Sequence, residues 1–160
     1  MNANAQATIL DIDALLDSTL DSVPDMPDYL NPPTGTYVLS IIEAEIKAGK
    51  PADPAKKQAA KAARIVITYR VDKTVETDGI PVPDQTLFTE GFQGTEDGVA
   101  FFKKQAKKLL NVDDMAGITI RDILMALKDV ANFNAVIKTT TTSGDNGKEY
   151  ENVNVRPLWV

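Results

Sequence analysis

The 160-residue chain contains no cysteine and no histidine. Without cysteine it can hold no disulfide framework, no thiolate nucleophile and no thiolate metal site. The lack of imidazole also removes the commonest general base and zinc ligand, so most hydrolase triads and zinc centres are excluded. No apolar run reaches the roughly 18 residues that a membrane span requires, and Met1 to Thr8 lack the basic start of a signal peptide. The expectation is a cytoplasmic protein with no membrane partner. What is present is ordinary for a globular chain: 43% hydrophobic and 25% charged residues, enough apolar surface for one core.

Charge is unevenly placed. The formal net charge is -6, which taken whole argues against a polyanionic partner. Yet Asp11, Asp13, Asp17, Asp21, Asp25 and Asp28 precede the first lysine, and the remaining acids and bases balance. Between Lys47 and Lys73 the bases Lys47, Lys50, Lys56, Lys57, Lys61, Arg64, Arg70 and Lys73 face only Asp53 and Asp72. A neutral body thus carries one basic stretch beside an acidic arm. A solvated surface also accounts for a lysine-rich segment.

The apolar spacing over Ile9 to Leu20, with Asp11, Asp13 and Asp17 between, predicts a short acidic amphipathic helix. Four prolines from Pro24 to Pro33 then interrupt any helix. The expected division is an acidic arm and linker over residues 1–33 and a folded domain over 34–160. Strands are predicted at Gly35 to Lys47, Arg64 to Asp72, and Gln85 to Phe92. Between the first two, Gly49, Pro51 and Pro54 mark a basic excursion with a turn or two of helix at its end. In the second strand Ile65, Ile67, Tyr69 and Val71 alternate with Arg64, Val66, Thr68 and Arg70, so two guanidiniums are expected on one outward face. Helices follow from Thr95 to Leu110, with Val99, Phe102, Ala106 and Leu109 inward, and from Ile120 to Ala131, capped by Thr119. Phe133 to Thr142 and Lys148 to Val155 form a hairpin about Gly144-Asp145-Asn146-Gly147. The order β-β-β-α-β-β is that of a mainly β fold with a helical insertion, a five-stranded Greek-key barrel of the oligonucleotide/oligosaccharide-binding (OB) type carrying an acidic N-terminal arm.

The arm Leu10 to Asp21 leading to Asp25-Met26-Pro27, the entry Pro33-Thr34-Gly35-Thr36-Tyr37, and Asn132-Phe133-Asn134-Ala135-Val136 with Asn152-Val153 resemble bacteriophage single-stranded DNA-binding proteins. The resemblance spans Leu10 to Val155. It implies the OB fold, a role in replication or recombination in a bacterial host cytoplasm, and single-stranded DNA as partner, coated with little sequence preference. Recruitment of replication or recombination proteins by the acidic arm, and a homo-oligomer, are compatible with it. In such proteins the acidic tail is commonly C-terminal, whereas this chain ends Pro157-Leu158-Trp159-Val160.

Binding of single strands needs cations for phosphates and aromatic faces for bases. Arg64, Arg70 and Lys73 on the second strand are the first choice for phosphates, with Lys47 and Lys50 closing the groove; Lys138 on the fourth strand is a candidate as a neighbour of Tyr150. Phe88 and Phe92 share parity in the third strand and are expected to face the groove; core packing is the competing account. Tyr150 alternates with Asn152, Asn154 and Arg156 on a polar face and is the preferred stacking residue. Tyr69 and Phe102 are assigned to the core, Phe101 to neither side. No cofactor or metal is expected. Two other classes compete. One is an interaction module or DNA mimic acting through the arm. The other is a metal-dependent nuclease built on pairs such as Asp113-Asp114, Glu96-Asp97 and Glu43/Glu45, although capping and solvation explain the latter two and no phosphate loop of the GxxxxGK[ST] type is present.

Overall fold

The structure, a computed structural model, describes residues 12–17, 28–57, 60, 62–143, 147 and 149–159. Of the acidic arm, Ile12–Asp17 is helical (α1). The rest of the expected Ile9 to Leu20 helix, the Pro24 to Pro27 stretch, Lys61, Gly144 to Asn146 and Lys148 lie outside the described residues.

The body is mainly β: β1 (Gly35–Lys47), β2 (Arg64–Thr77), β3 (Leu87–Gln93), β4 (Phe133–Ser143) and β5 (Glu149–Pro157), with helices α2 (Glu96–Leu110) and α3 (Ile120–Leu127) between β3 and β4. The five antiparallel strands form one sheet ordered β3-β2-β1-β4-β5. Among the described residues no ladder joins β3 to β5, so the sheet is open where a closed barrel would have a fifth ladder.

Strand β1 organises this arrangement. Its first five residues pair with β4 on one side, while its whole length pairs with β2 on the other. Irregularities between Ile41 and Glu43 insert Ile42 as an extra residue. In a regular strand Ile41 and Ala44 would face opposite sides. The bulge brings both inward, and both are buried. Ile65, Ile67, Tyr69 and Val71 of β2 are buried opposite them, as their alternation predicts. β2 runs five residues past the expected end because Thr77 still pairs with Gly35, although its sides are only partly covered there.

Helix α2 covers the open end of this core. Thr95 accepts the Gly98 N–H and Asn111 closes the helix in the left-handed conformation, while Phe102, Ala106 and Leu109 point inward. Gly98 crosses the β3 backbone so closely that a Cβ would lie 2.0 Å from the Gln93 carbonyl oxygen. Helix α3 starts where expected, with Thr119 accepting the Asp122 N–H. It stops at Leu127, four residues short of the predicted end: the Asp129 and Val130 N–H groups bond only three residues back, to Ala126 and Leu127, and this tighter turn presents the Val130 carbonyl to the Ile41 N–H of β1. Leu109 and Leu127 are fully buried, and truncation of either to alanine costs about 2–5 kcal/mol.

The segment before β1 is tied down too. Asp28 and Leu30 bond to both backbone groups of Leu87, Pro32 is buried, and the Thr139 hydroxyl donates to the Pro32 carbonyl. At the other end Trp159 donates its indole N–H to the Lys108 carbonyl at 2.7 Å and tilts against Phe133.

Candidate nucleic-acid interface

The basic residues fall into three groups. At one end of the β1–β2 ladder, Lys47 and Arg64 are direct register partners. Strand parity puts both on the outward side, opposite Ile46 and Ile65. Like charges directly opposed across a ladder repel, and the counter-charge here is slight: Lys47 has Glu45 at 3.9 Å, and among the described residues Arg64 has no ion pair. The Arg64 guanidinium lies over the neighbouring strand, where the missing side chain of Gly91 makes room; a Cβ there would stand 2.2 Å from its terminal nitrogen. Lys50, Lys56 and Lys57 are exposed in the connection just beyond. The helix expected there reduces to one 3-10 turn, Pro54–Lys56, capped by the Asp53 carboxylate.

The second group sits at mid-strand. Arg70 is not the free partner of Arg64 that alternation suggests: its Nε donates to Asp72 Oδ1 at 2.7 Å. The other Asp72 oxygen accepts the Ser40 hydroxyl, and Ser40 Oγ accepts the Asn132 N–H. Arg70 is therefore held in a relay that stitches β2 to β1 and to the turn before β4. Lys73 is exposed on the same side, opposite Val38. Val66 and Thr68, which separate Arg64 from Arg70 on that side, are buried, so the outer face between the two arginines is covered.

Lys138 and Tyr150 make the third group. Lys138 pairs with Asn154 and Thr142 with Tyr150, all on the outward side of the β4–β5 hairpin. Tyr150 is 49% exposed. Its partner Thr142 lies five residues beyond Ile137, the partner of Gly35, roughly 17 Å past the start of β1 at strand rise. Lys47 and Arg64 occupy the opposite end of β1. By register, the preferred stacking residue and the preferred phosphate contacts do not share one site.

The third-strand aromatics require a correction. Phe88 is 1% exposed and stacks on Tyr69, centroids 5.0 Å apart. Phe92 is half-buried, edge-on to Phe102. Their common parity is real, but it is the core side. Glu90, which shares that parity, is turned in as well: it accepts the Tyr69 hydroxyl at 2.8 Å and the Gln105 amide at 3.0 Å. The opposite parity gave a false signal because Leu87, the apolar residue there, is covered by the Asp28 to Leu30 segment.

Glu90 was not singled out in the sequence. Burial raises its carboxyl to about 7 despite the donors from Tyr69 and Gln105, and burial beside it also raises the Tyr69 phenol. Gln105 donates in addition to the Val155 carbonyl at 2.7 Å. This network joins β3, β2, α2 and β5 across the gap that no ladder closes. On the surface, Glu43 is bonded to Lys128 at 2.9 Å, which holds its carboxyl below the usual range.

Among the described residues no three acidic side chains gather as a metal site, and no helix is long and apolar enough to cross a membrane. Comparison with protein-family models, curated proteins and solved structures found no match.

Proposed function

We propose that this protein binds single-stranded DNA with little sequence preference, in a role suited to replication or recombination, and performs no chemistry on it. The observation that carries the reading is the Lys47/Arg64 pair. Two cations directly opposed on one rung, one of them without a carboxylate partner among the described residues, accept an anion more readily than they tolerate each other. The adjoining connection adds Lys50, Lys56 and Lys57, so the strand phosphates would be followed along a basic margin rather than met at a point.

The topology supports the same reading. The sheet order, with the β3 and β5 edges brought near each other through Glu90, Gln105 and Val155, is compatible with a partly open five-stranded Greek-key barrel of the OB type. In such barrels the face of strands 2 and 3 and the loops between strands 1 and 2 and between strands 4 and 5 take up oligonucleotides. Lys47, Lys50 and Arg64 belong to the first of those loops and its flanks, and Lys138 and Tyr150 to the hairpin carrying the second.

The test is a titration of the full chain with a fluorescent single-stranded oligonucleotide and with the corresponding duplex, at several salt concentrations. Tighter binding of the single strand, with affinity falling steeply as salt rises, is expected from counterion release. Equal binding of duplex, or no binding at low salt, overturns the proposal. A second reading, an interaction module acting through the acidic arm, is favoured by α1, whose Ile12 and Leu16 are exposed beside Asp13 and Asp17. It predicts binding to a protein partner that is lost when residues 1–27 are removed.

A further inference from the structure

We propose that the open seam between β3 and β5 is a nucleobase pocket, with Phe101 as its stacking face. The inference rests on the single-strand reading above and places the base-binding role at a position other than Tyr150. A cavity of about 460 Å³ lies in this seam, lined by Gly91, Phe92 and Gln93 of β3, Phe101 of α2 and Asn154 of β5.

Three features give the cavity its chemistry. Phe101 is 66% exposed although its neighbour Phe102 is in the core, so a large aromatic face is offered at the cavity wall, with the half-buried Phe92 ring also lining it. The second feature is a strand edge that is unpaired among the described residues. Gly94 donates its N–H to Ala63 on the β2 side, whereas Leu87 directs both backbone groups to Asp28 and Leu30 on the other side. Backbone groups alternate along an antiparallel strand, so Gly91 aims its N–H and C=O away from β2, toward the seam. Together with the amides of Gln93 and Asn154 they supply donors and acceptors beside the aromatic wall. A flat heterocycle with a polar edge fits that combination.

The third feature is position. Gly91 lines the cavity and also underlies the Arg64 guanidinium. A phosphate on Arg64 and a base in the seam would therefore be separated by little more than the width of one strand. Asp97 also lines the cavity and opposes entry of the phosphate itself, which leaves the base as the part that enters.

The test compares full-length Phe101→Ala, Phe101→Trp, Asn154→Ala, Tyr150→Ala and Lys47→Ala/Arg64→Ala proteins with the unaltered chain. A fluorescein-labelled single-stranded oligonucleotide is the probe, and each variant's melting is checked. Phe101→Ala should weaken binding about tenfold with an unchanged salt slope, the mark of lost stacking. Phe101→Trp should restore it, and Asn154→Ala should weaken it by a smaller factor. Binding unchanged within twofold in both Phe101→Ala and Asn154→Ala, while Lys47→Ala/Arg64→Ala loses affinity, overturns the seam pocket and leaves the single-strand reading standing. Loss confined to Tyr150→Ala also overturns it, since the stack then lies on the hairpin. Failure of the unaltered protein to bind the oligonucleotide removes the underlying reading and the pocket with it.

Discussion

Replacing Glu90 by glutamine should change how stability depends on pH, in a window where little else titrates. Glu90 is 8% exposed, and its carboxyl is carried from an ordinary 4.5 to about 7. The folded state therefore holds a proton that the unfolded chain has released. With the folded value raised, the neutral carboxyl's contribution is complete below about 4.5, declines as pH rises toward 7, and is gone above it. The whole change corresponds to about 3 kcal/mol, a large fraction of the stability of a domain this size. Glutamine at position 90 carries no charge at any pH, so that decline should vanish.

The substitution has its own cost, and the geometry says where. Glu90 accepts from both Tyr69 and Gln105. Both donors meet the same oxygen, Oε1, which glutamine keeps, but its N–H₂ replaces Oε2, 3.4 Å from the Gln105 amide nitrogen, and there faces another donor. One mismatched buried donor costs about 1–3 kcal/mol. Glu90→Gln should thus be less stable than the unaltered protein at pH 5, and the difference should shrink or reverse by pH 8. Urea unfolding midpoints measured at half-unit steps from pH 5 to pH 8 read this directly. The chain has no histidine, so no imidazole titrates across the window. Parallel pH profiles for the two proteins would refute the placement of a buried carboxyl at this junction.

Other consequences can be measured independently. Arg70→Ala should weaken oligonucleotide binding far less than Arg64→Ala, because Asp72 already engages Arg70; the Arg64 change should also reduce the salt slope by about 1, and equal effects in a salt titration would refute the distinction. Ser40→Ala removes the hydroxyl that serves both Asp72 and the Asn132 N–H; a loss of about 1–3 kcal/mol is expected in chemical denaturation, and a neutral result would contradict the relay. Gly98→Ala drives a methyl group into the Gln93 carbonyl, so thermal melting should reveal destabilisation of about 1–3 kcal/mol, whereas an unchanged melt would mean that α2 does not cross β3 at this point.

The strands were legible where burial is one-sided. β2 could be read from Ile65, Ile67, Tyr69 and Val71 alone, since period-two alternation is what a half-buried strand imposes on sequence. Capping chemistry likewise located the starts of α2 and α3, because a threonine hydroxyl answering a free N–H is a local event that needs no tertiary partner. The ends were less visible. α3 ends early in a tighter turn that presents the Val130 carbonyl to Ile41, some ninety residues upstream, and nothing near Val130 announces that partner. The bulge at Ile42 is similar: it repairs a parity mismatch between Ile41 and Ala44 that becomes apparent only once β2 and β4 fix which side is the core.

For the interface, sequence reveals which way a strand residue points but not what else reaches that surface. The alternation of Arg64 and Arg70 correctly puts both outward, yet Asp72 lies two positions from Arg70 on the same face and takes its guanidinium. The parity of Phe88, Glu90 and Phe92 looked polar because it contains a glutamate. That inference treats a carboxylate as a marker of solvent, which fails when a tyrosine and a glutamine supply the donors that make burial tolerable. The same network accounts for the exposure of Phe101, which its sequence surroundings assign to neither side. Gln105 reaches Glu90 and Val155 in place of a backbone ladder, so the β3 and β5 edges are held near each other without pairing. Phe101, one turn earlier on α2, then borders a gap instead of a sealed sheet. A ladder at that position would occupy the backbone groups of Gly91 and leave no room for a base; a side-chain bridge leaves both the edge and the aromatic face available, and it is the bridge that makes the seam a site.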